Sequence, residues 1–249
     1  MKILFISLGC DKNLADSEEM LGLLTGNGHE IVDSEEEADA IVINTCCFIH
    51  DAKEESVNTI LEMAEYKKTG TCKILIVTGC MAQRYKEEIT EEIPEVDAVL
   101  GTTSYGDIVK ALNEAEAGHV FQEFKDINAL PEDSGRRVIT TGGHFGYLKI
   151  AEGCDKHCTY CIIPSLRGKF RSVPEERLLK QAEYMASQGV RELILVAQET
   201  TVYGTDLYGK KTLHILLKKL CQIKGIRWIR VLYCYPEEIY DELIQVMKE

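Results

Sequence analysis

Through roughly its first half the chain alternates short apolar, β-branched runs with helical patterns, a rhythm that leaves few folds open. The spacing predicts strands over 2–8, 40–44, 73–78 and 97–100, with a weaker one over 30–32. Between them it predicts helices over 14–25, 52–67, 84–93 and 105–117, stopped in turn by Gly26 and Gly28, by Gly70, by Pro94 and by Gly118. Strands and helices in strict alternation imply a parallel sheet wound by right-handed crossovers. Residues 118–136 lose the periodicity and carry Pro131, Glu132, Asp133, Ser134 and Gly135, so a linker is expected over 119–136 between domains at 1–118 and 137–249. A second series follows: strand 146–151, helix 174–188, strand 192–197, helix 212–224, strand 228–233 and helix 236–248. Three β-α units are too few to close a barrel, and the sequence stops at Glu249 inside a helical pattern. The expected class is therefore α/β: an open parallel sheet with flanking helices, then the first β-α units, about half, of a TIM-like barrel that is cut short.

Composition narrows the setting. At 45% apolar and 28% charged over 249 residues, with a mean hydropathy of −0.12, the chain reads as an ordinary globular protein with ample core. The longest apolar run, 74–82, is broken by Thr78 and Gly79 and falls short of the ~18 residues of a bilayer span. The opening Met1 to Cys10 has the letters of a lipoprotein leader, but only Ile3 to Ile6 are continuously apolar, so a buried strand and a cytoplasmic address are expected. In a reducing compartment the ten cysteines stay thiols, available as metal ligands. Charge divides the chain: residues 1–143 hold 12 Lys and Arg against 28 Asp and Glu, and residues 144–249 hold 16 against 13. The acidic first part repels a phosphate backbone, which argues against direct nucleic-acid binding there.

Cys154, Cys158 and Cys161 are spaced C-x3-C-x2-C in a loop directly after a strand. Three thiolates so placed can grip three irons of a cubane and leave the fourth open to substrate. Zinc, with His157 or a remote cysteine as fourth ligand, is the competing occupant, although structural zinc sites more commonly pair two short Cys/His motifs. A second trio emerges only once cysteines are laid on the predicted strands. Cys10, Cys46 and Cys80 each stand just past a strand, where an open parallel sheet forms its ligand crevice, and Cys47 beside Cys46 leaves the third ligand ambiguous. Separately buried core cysteines would give the same letters. Cys72, Cys221 and Cys234 read as packing residues. Lys156, Arg167, Lys169 and Arg171 form a basic cluster suited to an anion, or to a solvated loop. Gln198 and Glu199 end a strand where a barrel turns polar groups toward its ligand.

The stretch from Gly153-Cys154 to Ile162-Ile163-Pro164-Ser165-Leu166-Arg167-Gly168 resembles the radical S-adenosylmethionine superfamily. Together with Ser7-Leu8-Gly9-Cys10-Asp11-Lys12-Asn13, Asp16-Ser17-Glu18, Asn44-Thr45-Cys46 and Thr78-Gly79-Cys80, it resembles the methylthiotransferases within that superfamily, over essentially the whole chain. The first-cysteine wording is closer to the branch that modifies an aspartate of a small-subunit ribosomal protein than to the branch acting on tRNA adenosine. The resemblance implies two 4Fe-4S clusters, an auxiliary one on Cys10, Cys46 and Cys80 and one binding S-adenosylmethionine on Cys154, Cys158 and Cys161. Cofactor contacts are expected from Tyr160, Arg167 and Gln198, with an electron donor such as flavodoxin or ferredoxin, and the resemblance implies a ribosomal-protein substrate. It also resolves the Cys46 ambiguity, since the family commonly has a small residue at the next position; Cys47 departs from that pattern. The rest of the barrel and a small C-terminal β-barrel domain of the family are absent from this sequence, so its site is expected to be incomplete. Readings from other classes are an iron-sulfur electron carrier with two clusters and a zinc-stabilised binding module.

Overall fold

A computed structural model describes residues 1–132 and 135–249 and resolves two units, Met1–Val138 with Ser165–Arg167, and Ile139–Pro164 with Gly168–Glu249. In the first unit the strands are β1 (Lys2–Ser7), β2 (Glu30–Val32), β3 (Ala40–Thr45), β4 (Ile74–Gly79), β5 (Ala98–Leu100) and β6 (Phe121–Glu123). They form one sheet in the order β2-β1-β3-β4-β5-β6, every pair parallel. The helices are α1 (Asp11–Gly26), α2 (His50–Thr69), α3 (Cys80–Arg84), α4 (Lys86–Glu92) and α5 (Ile108–Glu116). β3 and β4 are buried along their whole length, as strands covered on both faces must be, and Ile3, Val42, Ile76, Leu100, Ile108 and Leu112 fill the core.

Two departures from the sequence reading concern this unit. The single helix expected over 84–93 is two pieces, α3 and α4, interrupted at Tyr85. The stretch expected as a linker is partly structured: Phe121–Glu123 pair with Ala98–Leu100 as the sixth strand. Three residues are too short for the alternation to stand out from a loop. Farther on, Val138 N–H donates to the Glu18 carbonyl and Arg137 ion-pairs with Glu18 at 2.6 Å, so the end of that stretch lies along α1. Asp133 and Ser134 of the expected linker lie outside the described residues.

In the second unit, β7 (Phe145–Lys149), β10 (Glu192–Val196) and β11 (Trp228–Val231) make a parallel sheet in the order β11-β10-β7. Chain order equals spatial order, as in successive strands of a β/α barrel. A two-stranded antiparallel ladder of β8 (Ala151–Glu152) and β9 (Arg171–Ser172) brackets the cysteine loop, so the strand expected over 146–151 is in fact β7 followed by β8. The helices are α6 (Ile163–Arg167), shared between the units, then α7 (Glu175–Ser187), α8 (Thr205–Tyr208), α9 (Leu213–Leu220) and α10 (Asp241–Lys248). Among the described residues no helix is long and apolar enough to cross a membrane.

Candidate metal centres

β1, β3 and β4 are neighbours, with Ser7 opposite Asn44 and Thr45 opposite Gly79. Cys46 and Cys80, each the first residue past its strand, therefore leave the sheet side by side, and Cys10 stands three residues past β1. The chain order of the strands reverses at β1 and β3, which makes this the crevice where open α/β sheets take ligands. Gly79 is at φ +94°, and a Cβ there would collide with the Asn44 side chain and come within 2.8 Å of the Thr45 nitrogen. Only glycine lets the chain turn from β4 into α3 so close to β3.

Asn13, on the first turn of α1, ties these strand exits together. Its Nδ2 donates to the carbonyls of Leu8 at 3.1 Å and Thr45 at 3.0 Å, and its Oδ1 accepts from Arg167 and from the Cys80 thiol. Asn44 returns the contact, donating to the Asn13 carbonyl and to Ser17 Oγ, both at 2.9 Å. Ser56 fixes Cys46 from the other side, accepting from its N–H at 3.0 Å and donating to its carbonyl at 2.8 Å.

The electrostatics of the trio follow from this packing. Burial pushes the Cys46 thiol up, with the Cys10 thiol nearby adding to it and Arg167 opposing. Burial also pushes Cys80 up, against the pull of the Arg167 guanidinium, with Cys46 and Cys10 adding to the rise. Cys46 and Cys80 thus both stand in the field of the Cys10 thiol. Cys47 is pushed up to about 12, chiefly by burial, and its thiol donates to the Cys80 backbone carbonyl at 3.3 Å.

In the second unit the Cys154 N–H donates to the Gly168 carbonyl at 3.1 Å and the Cys161 N–H to the Cys158 carbonyl at 2.9 Å. Gly153, at φ +71°, passes so close to the Gly168 and Lys169 carbonyls that no side chain fits. The Lys156 N–H reaches Cys154 Sγ at 3.4 Å, and Cys158 Sγ meets the Tyr235 hydroxyl at 3.7 Å. Burial raises the Cys154 thiol, and Cys161, Glu199 and Cys158 add to the rise. All three cysteines are half-buried, and the Tyr160 ring between them is 85% exposed.

Two members of the basic cluster expected around this loop have carboxylate partners of their own. Arg167 is 3% exposed and belongs to the first unit, paired with Asp16 at 2.8 Å. Lys156 stands over the Tyr235 ring among carboxylates, 3.0 Å from Glu238, 3.7 Å from Glu237 and 3.9 Å from Glu199. At the end of β10, Gln198 Oε1 is buried with no hydrogen-bond partner, and Glu199 is buried with Oε1 held by the Thr201 N–H at 3.1 Å. Cys72 is buried as expected of a packing residue, whereas Cys221 is exposed past the end of α9.

Both trios fit the clusters expected of them. Each offers three thiols, reached by backbone that only glycine allows, and the second trio has an orphaned buried acceptor in its unit at the strand end where a polar ligand group is expected. Among the described residues no three Cys, His, Asp or Glu side chains close on a point that would hold a single ion. A cubane asks for something else, since each thiolate takes its own iron.

Comparison with known proteins extends over the whole chain. Residues 2–101 match the family model described as Uncharacterized protein family UPF0004, and residues 148–249 match that of the Radical SAM superfamily. The chain is 66% identical over 248 residues to a protein of Lachnoclostridium phytofermentans named Ribosomal protein uS12 methylthiotransferase RimO. It is 52% identical over 249 residues to the protein of that name from Clostridioides difficile, and 54% over 246 to one from Clostridium botulinum. All of this chain is covered in the first two matches, and 56% of each relative, so it spans about half the length of the curated relatives it matches. Among solved structures, the cobalamin- and [4Fe-4S]-bound radical S-adenosylmethionine methyltransferase TsrM of Kitasatospora setae matches with a TM-score of 0.63 at 12% identity, over 99% of this chain and 56% of that one. The cobalamin-dependent radical enzyme OxsB matches at 0.53 and 14%, over 99% of this chain and 41% of that one. At such identities these two matches speak to fold alone.

Proposed function

Because the chain belongs to the radical S-adenosylmethionine methylthiotransferases of the RimO type, we propose that it is the cluster-bearing part of an enzyme that adds a methylthio group to an aspartate of ribosomal protein uS12. The observation that carries this reading is the pair of cysteine trios, one at adjacent strand exits of the first sheet and one on the loop after β7. Cys10, Cys46 and Cys80 would hold one 4Fe-4S cluster, and Cys154, Cys158 and Cys161 the other. When bound, the clusters and S-adenosylmethionine supply a reducing electron, a carbon-centred radical able to take an unactivated hydrogen, and a site carrying sulfur.

The chain's own residues bind and orient. Asn13, Asn44 and Ser56 hold the exits of β1 and β3 in place before any metal arrives. The Lys156 N–H and the Tyr235 hydroxyl are donors aimed at two of the second trio's sulfurs, and such donors favour the thiolate form. Gln198 Oε1 offers a buried acceptor for a donor group of S-adenosylmethionine, and the exposed Tyr160 ring offers an apolar face. Arg167 is assigned to the first trio, from the acceptor it shares with the Cys80 thiol, Asn13 Oδ1. The excess of acidic groups in residues 1–143 supports a protein substrate over a nucleic acid, and flavodoxin or ferredoxin as reductant and a cytoplasmic setting go with the family.

The test compares this chain with one extended to its relatives' length, both reconstituted anaerobically, for S-adenosylmethionine cleavage to 5'-deoxyadenosine and for methylthio transfer to uS12 and to bulk tRNA. The reading predicts transfer to uS12 by the longer chain and weak cleavage by this one. Transfer to tRNA alone would assign the other branch, and two clusters without S-adenosylmethionine binding would make the chain an electron carrier.

A further inference from the structure

The fold delivers Arg167 to the first trio. It lies 3% exposed in the same unit as Cys10, Cys46 and Cys80, and its guanidinium shares an acceptor, Asn13 Oδ1, with the Cys80 thiol. Asp16 holds it at 2.8 Å, and Asn13 Oδ1 accepts from a second nitrogen. Asn13 cannot turn its amide around without losing both bonds to Leu8 and Thr45, so its oxygen stays fixed toward Cys80 and Arg167.

That fixed oxygen suits a Cys80 thiol, which donates to it at 3.8 Å, but a metal-bound thiolate has no proton to donate. The donor remaining at that sulfur is then Arg167. A buried guanidinium aimed at a ligand sulfur compensates the negative charge of a cluster on three thiolates, and hydrogen bonds to ligand sulfurs are a principal control on cluster potential.

We propose that Arg167, anchored by Asp16 and Asn13, is a positioning and charge-compensating residue for the cluster held by Cys10, Cys46 and Cys80, donating to the Cys80 sulfur and raising that cluster's reduction potential. The inference rests on the ligand assignment made above. Its consequence is a pair of opposite effects within one ion pair. Removing the cation disfavours the reduced, more negative cluster, and removing the Asp16 charge, which offsets that cation, favours it.

The experiment is an EPR-monitored redox titration of the full chain carrying Cys154→Ala, so that one cluster gives the signal, in four forms: otherwise unchanged, Arg167→Lys, Arg167→Gln and Asp16→Asn. Arg167→Gln is expected to lower the ratio of reduced to oxidised cluster at the parent midpoint about tenfold, a shift of about 59 mV for one electron. Arg167→Lys is expected to stay near the parent, and Asp16→Asn to shift the opposite way. Unchanged midpoints, or shifts of one sign in both charge-removing variants, would overturn the proposal. If Arg167→Gln fails to take up iron, Asp16→Asn decides alone: a rise in potential supports the proposal, and no change or a fall contradicts it. Full retention of the signal on adding Cys10→Ala would instead overturn the ligand assignment, a failure distinct from that of Arg167.

Discussion

The two cysteine trios, each proposed to hold a cluster, are assembled by opposite means. Cys154, Cys158 and Cys161 lie within eight residues of one loop, half-buried, brought together by sequence proximity, a short ladder and Gly153. Cys10, Cys46 and Cys80 are dozens of residues apart, and only the parallel register of β1, β3 and β4 brings them level. The first arrangement is local and the second is a product of tertiary structure. Damage to the sheet should therefore abolish one centre and spare the other, whereas the loop can be disarmed by a single ligand change without touching the core.

The largest expected effect tests that dependence. Gly79→Ala must fit a side chain against Asn44 and Thr45 at φ +94° and should cost roughly 2–4 kcal/mol in urea unfolding of the first unit, taking its iron with it. Gly28→Ala, at φ +86° with no atom within 4 Å of the new Cβ, should cost only about 1 kcal/mol and leave iron unchanged. Equal costs for the two would mean that close approach at the β4 exit does not govern the site. Next in size, Cys154→Ala should remove about half of the bound iron and leave stability of the first unit unaltered, read by iron content beside thermal unfolding.

A finer comparison separates Cys46 from Cys47. Cys46→Ala should lose the first unit's cluster, and Cys47→Gly should keep it, because Cys47 directs its thiol to the Cys80 carbonyl. Loss confined to the Cys47 variant would reverse the assignment. The smallest effect needs no metal. With Cys47 raised to about 12, only about one thiol in ten thousand is ionised at pH 8, and ionisation increases as pH rises. In metal-free protein the exposed Cys10 should be alkylated in minutes while Cys47 stays intact, its rate climbing about tenfold per pH unit. Modification of Cys47 at the rate of Cys10 at pH 8 would contradict its burial.

Much of this contrast was legible in the sequence. The loop trio follows from spacing alone. The sheet trio could be read because each cysteine follows an apolar run that ends at the same edge of a parallel sheet, and the strands were found within a residue or two of where they lie. Three residues of β6 carry too little pattern to be distinguished from a loop, and the break at Tyr85 falls inside a helical period. The network of Asn13, Asn44, Asp16 and Arg167 was missed as a network. Its members sit in recognisable motifs, but their meeting depends on Ser165–Arg167 folding with the first unit, which no local spacing encodes. A run of polar residues from Lys12 to Glu19 buried on α1 was the available signal, apart from Leu14 and Ala15.

Whether each trio carries its own 4Fe-4S cluster is decided by iron, acid-labile sulfide and zinc measured on anaerobically prepared protein. About eight irons and about eight sulfides per chain with no zinc are expected, falling to about four of each in Cys154→Ala and likewise in Cys80→Ala. One zinc per chain with neither iron nor sulfide would contradict it.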